Sequence, residues 1–579
     1  MSRFTNFSST GRITFLGGIF LFLFAALVLR LGLLQVTSAQ YYRGLAEDQH
    51  ALFAKLIPLR GEIKVSDALS PESIPVATNI AAPLVYASPK EISNPANVAH
   101  VLAGILSLDE ADLLLKLSNK TKVYVVIKHR LLEKEQDAIK SAGLSGIHFD
   151  TETVRYYPEH QFLSHVVGFL GYKADGGVNP LGVYGLERQY DKVLAGTAGK
   201  ISSGGANRWF FGNQADFLPA KNGNQLLLTI DKSIQLEVEQ VLKKAVETNL
   251  ADGGCVVVMD PKTGRILAMA TDPSFDPNLY AQVKDLSVFS NLCTSGNYEP
   301  GSVFKAVTMA AGLDTGVVTP DTTYTDSGQV VVDGYTIKNS DNKAHGVQTM
   351  TQVLEQSLNT GVIFVKEKIG NSTFLDYVKK FGFGQTTGVD LPEATGNMNN
   401  LKGAIEVNFD TASFGQGISV TPIQMLRAYA AIANGGRLPT PYVVGAEITP
   451  EGKTIETTPI FSSPVITQKT ATTLSAMLVS VVENGHGKKA KVSGYYVAGK
   501  TGTAQVVKKG GGGYDPNNNI GTFVGFAPVE NPKFVMLVRV NHPRTVQFAE
   551  STAAPAWGEI ARFLLSYYNV PPTRPVNNK

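Results

Sequence analysis

Glu299-Pro300-Gly301-Ser302-Val303-Phe304-Lys305 is the stretch from which the rest of the chain can be read. Pro300 and Gly301 punctuate a turn. Beyond it Val303, Phe304, Val307, Ala310, Ala311 and Leu313 recur at helical spacing, until Asp314-Thr315-Gly316 closes the run. The pattern predicts a buried helix with Ser302 in its first turn. Lys305, three residues on, falls on the same face. A hydroxyl and an amine are thereby paired in apolar surroundings. Burial disfavours the charged form of a lysine, and a neutral lysine can take a serine proton. First-turn N–H groups also point toward developing negative charge. A lone Ser-x-x-Lys fits an ordinary helix start with a serine cap and a solvated lysine equally well, so the reading rests on what accompanies it.

Two other stretches accompany it. Ser357-Leu358-Asn359 lies between two amphipathic runs, 350–356 and 362–369, and reads as a helix-to-helix connection. Lys500-Thr501-Gly502-Thr503 lies inside the β-prone run 495–507, where glycines suggest close backbone approach by a ligand. Ser-x-x-Lys, Ser-x-Asn and Lys-Thr-Gly, in that order, form the set found in penicillin-binding proteins and class A β-lactamases. Strand alternation puts Lys500 and Thr501 on opposite faces. Both can border one site only from a sheet edge, so an edge strand is expected, with Gly502 letting substrate lie against it. The run Gly494-Tyr495-Tyr496-Val497-Ala498-Gly499-Lys500-Thr501 also satisfies the P-loop pattern. A P-loop opens a helix, whereas strand formers lie inside and after this one, so no nucleotide is expected.

The chain has 579 residues, enough for two or three domains, and is 43% hydrophobic and 17% charged. A net charge of +3 gives no argument for a nucleic-acid partner. Cys255 sits in an apolar run, and it and Cys293 are expected to be separate buried thiols. The histidines show no paired metal spacing, so no metal is expected.

Residues 13–29 carry no charge, and the apolar character resumes after Arg30 through Val36. This predicts an uncleaved membrane anchor over 13–36, preceded by a cytoplasmic tail, 1–12. From Tyr41 to about Ala220 no sharp catalytic signal appears. The clusters Arg155-Tyr156-Tyr157-Pro158 and Glu187-Arg188-Gln189-Tyr190-Asp191 read as ion pairs and turns. A second region, 225–570, opens with the strand 226–230, the cap Asp231 and a helix over 234–246. A hairpin follows over 254–271. Late strands cover the Lys500 stretch, 521–528 and 534–540, and a helix over 557–568 closes the region. The fold class is α+β: one antiparallel sheet with a helical cluster packed against it. Residues 571–579 are expected to form a loose tail, and Gly510 to Gly513 a hairpin tip.

From about Leu29 to Pro572 the chain resembles a class B penicillin-binding protein, a monofunctional peptidoglycan D,D-transpeptidase. Beyond the three motifs, Arg30-Leu31 with Leu34-Gln35-Val36 resembles the end of the family's anchor. Arg60-Gly61-Glu62-Ile63 and Glu187 to Asp191 resemble motifs of its non-catalytic domain. Asp260-Pro261 with Gly264 and Ala268 resembles its opening hairpin, and the segment from Gly415-Gln416-Gly417 to Gly436 another block. One departure is plain: Lys64-Val65-Ser66-Asp67-Ala68 stands where the family has an Asp-Arg-x-Gly turn.

The resemblance implies an elongated non-catalytic pedestal over 37–224 and a transpeptidase domain over 225–570. It implies Ser302 as nucleophile, Lys305 as acylation base, Ser357 as proton relay tuned by Lys500, and Asn359 orienting the substrate amide and Lys305. Thr501 and Thr503 would bind the terminal carboxylate beside Gly502, and the N–H groups of Ser302 and Thr503 would form the oxyanion hole. No cofactor is implied. The implied partners are stem peptides ending in D-Ala-D-Ala, an amine acceptor, β-lactams, a polytopic membrane glycosyltransferase and divisome proteins. The implied location is the plasma membrane, single-pass, with the catalytic domain outside. A septal role is preferred to an elongation role. A catalytically silent scaffold and a β-lactam sensor are the readings from another class, and the intact Ser302, Lys305, Ser357, Asn359 and Lys500 oppose the scaffold.

Overall fold

The computed structural model describes residues 9–32, 57–67, 70–171, 180–202, 216–508 and 513–575. It divides into two units: Met1–Leu59 with Gly196–Asn222, and Arg60–Ala195 with Gly223–Lys579. In the first unit α1 (Ser9–Gly32) is a 24-residue helix. Phe15, Phe20, Leu21, Phe22 and Phe24 on it are exposed. Its described side chains fall within residues 15–28, roughly 20 Å of helix at ~1.5 Å per residue. Among the described residues no helix is long and apolar enough to cross a membrane. Residues 33–36 of the expected anchor, Gly510 to Gly512 of the expected tip and 576–579 of the expected tail lie outside the described residues.

The second unit begins with β1 (Ile63–Asp67), β2 (Ser70–Ala87), β3 (Val125–Lys128) and β4 (Ile147–Tyr156). A strand, β5 (Gln225–Asp231), and a helix, α2 (Lys232–Thr248), follow. Asp231 caps α2 as its composition predicts, accepting from the Ile234 N–H at 3.1 Å. Then come the hairpin β6 (Gly253–Met259) and β7 (Ile266–Asp272), and α3 (Lys305–Asp314). The helical cluster continues with α4 (Met350–Glu355), α5 (Asn359–Ile369), α6 (Glu406–Ser413) and α7 (Pro422–Ala433). After β8 (Val444–Ile448), β9 (Thr454–Glu456) and α8 (Gln468–Asn484), the chain ends in β10 (Ala498–Val507), β11 (Tyr514–Ala527), β12 (Phe534–Asn541) and α9 (Ala553–Tyr567).

Two sheets organise this unit. The first has the order β9–β8–β5–β1–β2–β3, with β4 also on β2. Its β1–β5 pair is parallel and joins segments about 160 residues apart. The sheet therefore draws strands from both sides of position 224. The second sheet is antiparallel, in the order β7–β6–β12–β11–β10. Its side chains alternate between two cores. Cys255, Val257, Met259, Val524, Phe526, Val535 and Leu537 face the helical cluster. Val256, Val258, Phe523, Phe534, Met536 and Val538 face α2 and α9. There the buried Trp557 packs on Phe523 and Phe534 and donates its indole N–H to the Met536 carbonyl at 2.9 Å. The expected sheet with a helical cluster is present, and a second helical layer covers its other face.

Glu187, fully buried, explains the two polar-aromatic clusters. Arg60 Nε and Arg155 Nε each reach its carboxylate at 2.7 Å, and Arg60 Nη2 also reaches Asp191 at 2.9 Å. Arg155 Nη1 donates to the Gly61 carbonyl at 2.8 Å. These are the structural ion pairs expected. The departure at Lys64 to Asp67 extends β1, with Val65 buried and Asp67 paired back to Ser70. Cys255 and Cys293 are both buried and unbridged.

Candidate active site

The first turn of α3 is preceded by a tight 3-10 turn, Gly301–Phe304. Gly301 has φ +57°, in the left-handed region glycine favours, and its N–H donates to the Gly415 carbonyl at 3.0 Å. The Tyr429 hydroxyl donates to the Val303 carbonyl at 2.9 Å. Ser302, half-buried, is thus fixed from both sides, while Val303 to Ala311 are buried.

β10 is the edge strand of its sheet, as the alternation argument required. The structure gives Gly502 a reason different from the one expected. A Cβ there would stand 2.9 Å from the Pro300 carbonyl oxygen and 3.0 Å from Val303 Cγ1. The missing side chain admits the nucleophile's own turn against the strand, where the expectation was room for substrate. The pattern from Gly494 to Thr501 runs into β10, so no helix follows and no phosphate cradle forms.

Lys305 and Lys500 are both fully buried. They converge on Ser357, the residue between α4 and α5, which is held at φ +56°. Lys500 Nζ donates to Ser357 Oγ at 2.9 Å and to the Thr501 carbonyl at 3.2 Å. Lys305 Nζ donates to the Ser357 carbonyl at 2.5 Å and lies 3.3 Å from its Oγ. Burial lowers the Lys500 pKa to about 7. Burial first, and the neighbouring Lys500 second, hold Lys305 well below the ordinary lysine range. Two amines and a hydroxyl in this arrangement can hand a proton among themselves near neutral pH.

Thr501 is buried, and Thr503 Oγ1 accepts the Ala549 N–H at 3.0 Å. Asn359 opens α5, but its amide donates to the Lys338 carbonyl at 2.8 Å, and among the described residues it makes no bond to Lys305. The cause is a network that the sequence did not announce. The buried Asn339 accepts the N–H groups of Asn359 and Thr360 at 3.0 and 3.3 Å. Asp326, also buried, accepts from Asn339 Nδ2 and Thr360 Oγ1, each at 2.8 Å. Glu299 stands at the start of the stretch that bears Ser302. It accepts from the Tyr514 hydroxyl at 2.9 Å and the Gly417 N–H at 3.1 Å, tying β11 to the nucleophile's turn. Behind the site, Lys366 of α5, fully buried, pairs with Asp410 and Glu406 of α6. An unbalanced lysine in the apolar run of α5 was the available signal for that pair.

The family model for the penicillin binding protein transpeptidase domain matches residues 254–563, and that for the penicillin-binding protein dimerisation domain matches 56–228. Stage V sporulation protein D of Bacillus subtilis is 36% identical, over 99% of this chain and 88% of that one. Penicillin-binding protein PbpB of Mycobacterium tuberculosis is 33% identical, over 82% and 71%. Penicillin binding protein 3 of Mycobacterium tuberculosis, solved in complex with aztreonam, superposes with a TM-score of 0.68 at 29% identity, over 90% of this chain and 98% of that one. With both domain models matched in order and the three motifs meeting around Ser357, the chain belongs to the class B penicillin-binding proteins.

Proposed function

We propose that this chain is a peptidoglycan D,D-transpeptidase working through a Ser302 acyl-enzyme. The observation that carries the reading is the convergence of two buried lysines on one hydroxyl beside the turn that bears Ser302. Lys305, neutral through burial, takes the Ser302 proton as Oγ attacks the carbonyl of the penultimate D-Ala of a stem peptide. The N–H groups of Ser302 and Thr503 hold the oxyanion, each donor worth on the order of 3 kcal/mol. Ser357 passes its proton to the departing amine of the terminal D-Ala and is resupplied by Lys500. An acceptor amine then attacks the ester, the crosslink forms, and Ser302 recovers its proton. A β-lactam acylates Ser302 in place of the donor. Thr503 Oγ1 already accepts a backbone N–H, so its own O–H is left to donate to the terminal carboxylate, with Thr501 alongside. For Asn359 to bind the substrate amide, it turns from the Lys338 carbonyl.

Exchange of the terminal D-Ala of a pentapeptide for a labelled D-amino acid tests this reading. The purified full chain incorporates label and Ser302→Ala does not. Equal incorporation by both would refute the assignment.

The uncharged run 13–29 supports an anchor over 13–36, with a short cytoplasmic N-terminus and the bulk outside. In that setting the domains are the pedestal over 37–224 and the transpeptidase over 225–570. The partners are a polytopic membrane glycosyltransferase and divisome proteins at the septum. The relative named for stage V of sporulation favours a second reading, a sporulation-specific wall. A fluorescent fusion decides between them: midcell signal in vegetative cells supports the septal role, and signal confined to sporulating cells supports the second.

A further inference from the structure

One buried row crosses the second sheet. Thr271 stands opposite Cys255, Cys255 opposite Arg539, and Arg539 opposite Thr522. Directly opposed residues share a face, and this face lies under the helical cluster. The next position along is Gly502, which touches the turn of Ser302. The segment just ahead of that turn covers the row. Cys293 Sγ lies 3.4 Å from the Val256 and Ala270 carbonyls, and Tyr298 places its ring 4.4 Å from the Arg539 guanidinium.

The row has two deficits. Arg539, 5% exposed, donates to Asn541 Oδ1 at 2.7 Å and to the Gly296 carbonyl at 2.6 Å, and its other neighbours are the Tyr298 ring and the thiols of Cys255 and Cys293. None of these groups is a carboxylate, and among the described residues no carboxylate pairs with it. Buried cations are ordinarily balanced. The second deficit is in the hydroxyls. Thr271, Tyr298 and Thr522 are 7%, 4% and 1% exposed, and none of their hydroxyls has a hydrogen-bond partner among the described residues. The hydroxyls of Tyr298 and Thr522 lie near each other without completing a bond. Buried hydroxyls are normally satisfied. A cation without a counter-charge and donors without an acceptor are corrected by the same species, a small anion that only accepts. A water molecule would satisfy the hydroxyls and leave the charge.

We propose that a monovalent inorganic anion of chloride size is held beside Arg539 by its guanidinium and the hydroxyls of Tyr298 and Thr522. It is a structural ligand of the wall behind the nucleophile. It ties the segment Gly296 to Tyr298 to the sheet and so helps set where the Ser302 turn rests.

The test is thermal unfolding of the full chain in detergent, with chloride exchanged for gluconate at constant ionic strength. Unfolding temperature rises with chloride and saturates, as binding to the folded state alone requires. Thr522→Val raises the half-saturating concentration about tenfold, the loss of one hydrogen bond to a charged group. Arg539→Gln abolishes the dependence. Crystals soaked in bromide give an anomalous peak next to Arg539. If Arg539→Gln fails to fold, Thr522→Val and the bromide peak still decide. A flat response with no bromide peak, meaning water alone satisfies the hydroxyls, overturns the proposal. So does a chloride response that Thr522→Val leaves unchanged. The labelled-D-amino-acid exchange with Ser302→Ala reads the nucleophile, whereas chloride-dependent unfolding and the bromide peak read the anion, so the two readings fail separately.

Discussion

At the scale of the residue, the site is governed by what burial does to two lysines. An unfolded lysine titrates near 10.5, and Lys500 in the fold at about 7. Between those values the unfolded chain binds more protons than the folded one, so stability rises with pH across that window. Below about 7 the full penalty of burying the charged amine is present. Lys500→Met therefore unfolds at a higher temperature than the parent at pH 7, and the gap closes toward pH 10.5, as calorimetry of both at several pH values would detect. The same variant loses about 10²- to 10⁴-fold in β-lactam acylation rate, the usual worth of a positioned proton-transfer group. A variant both active and no more stable would contradict this account of the site. In the parent, acylation falls on the acid side as Lys305 gains its proton, because burial and then the neighbouring Lys500 hold its pKa well below the ordinary lysine range. Ser302, Lys305, Ser357 and Lys500 were legible in the sequence because motif spacing encodes them. Asn339 and Asp326 were not. They lie at the ends of strands four residues long, where Asn and Asp read as ordinary turn formers.

At the scale of the element, the site is the line where α3, the α4–α5 connection and β10 meet, and small residues set the spacing. Gly502→Val would force a side chain to within 3.0 Å of Val303 and closer to the Pro300 carbonyl. The expected outcome is a loss of about 1–3 kcal/mol in stability from overpacking and a fall in acylation rate of about 100-fold, since a misplacement near 1 Å costs that much. Denaturant titration and labelling kinetics measure the two. The α5–α6 pairing makes another prediction. Lys366→Met leaves the carboxylate of Asp410, fully buried, without its partner and costs about 3–5 kcal/mol. The double variant Lys366→Met with Asp410→Leu recovers most of it, because a buried ion pair can be replaced by apolar groups of similar volume. A double-mutant cycle with no coupling would show that the pair is incidental. Periodicity located α2 and α9 within a few residues, yet it could not say that they pack on the sheet face away from the site. That choice depends on the alternation along β6, β11 and β12 as a set.

At the scale of the whole molecule, the second unit is held by contacts that no local pattern encodes. β1 pairs in parallel with β5 across about 160 residues, and one carboxylate, Glu187, gathers Arg60 and Arg155 from distant segments. A boundary at 224 follows from where catalytic motifs begin, whereas the first sheet spans it. The anion-holding row, the Glu299–Tyr514 link and the Lys366 pair all bear on the turn of Ser302 or the helices beside it, so the chemistry depends on much of this unit. The central claim is that this turn carries the nucleophile. The most direct measurement is mass spectrometry of proteolytic fragments after treating the full chain, and its Ser302→Ala variant, with a β-lactam. The account predicts one acyl adduct on the fragment containing Ser302, absent in the variant. An adduct on another residue, or on both proteins alike, would contradict it.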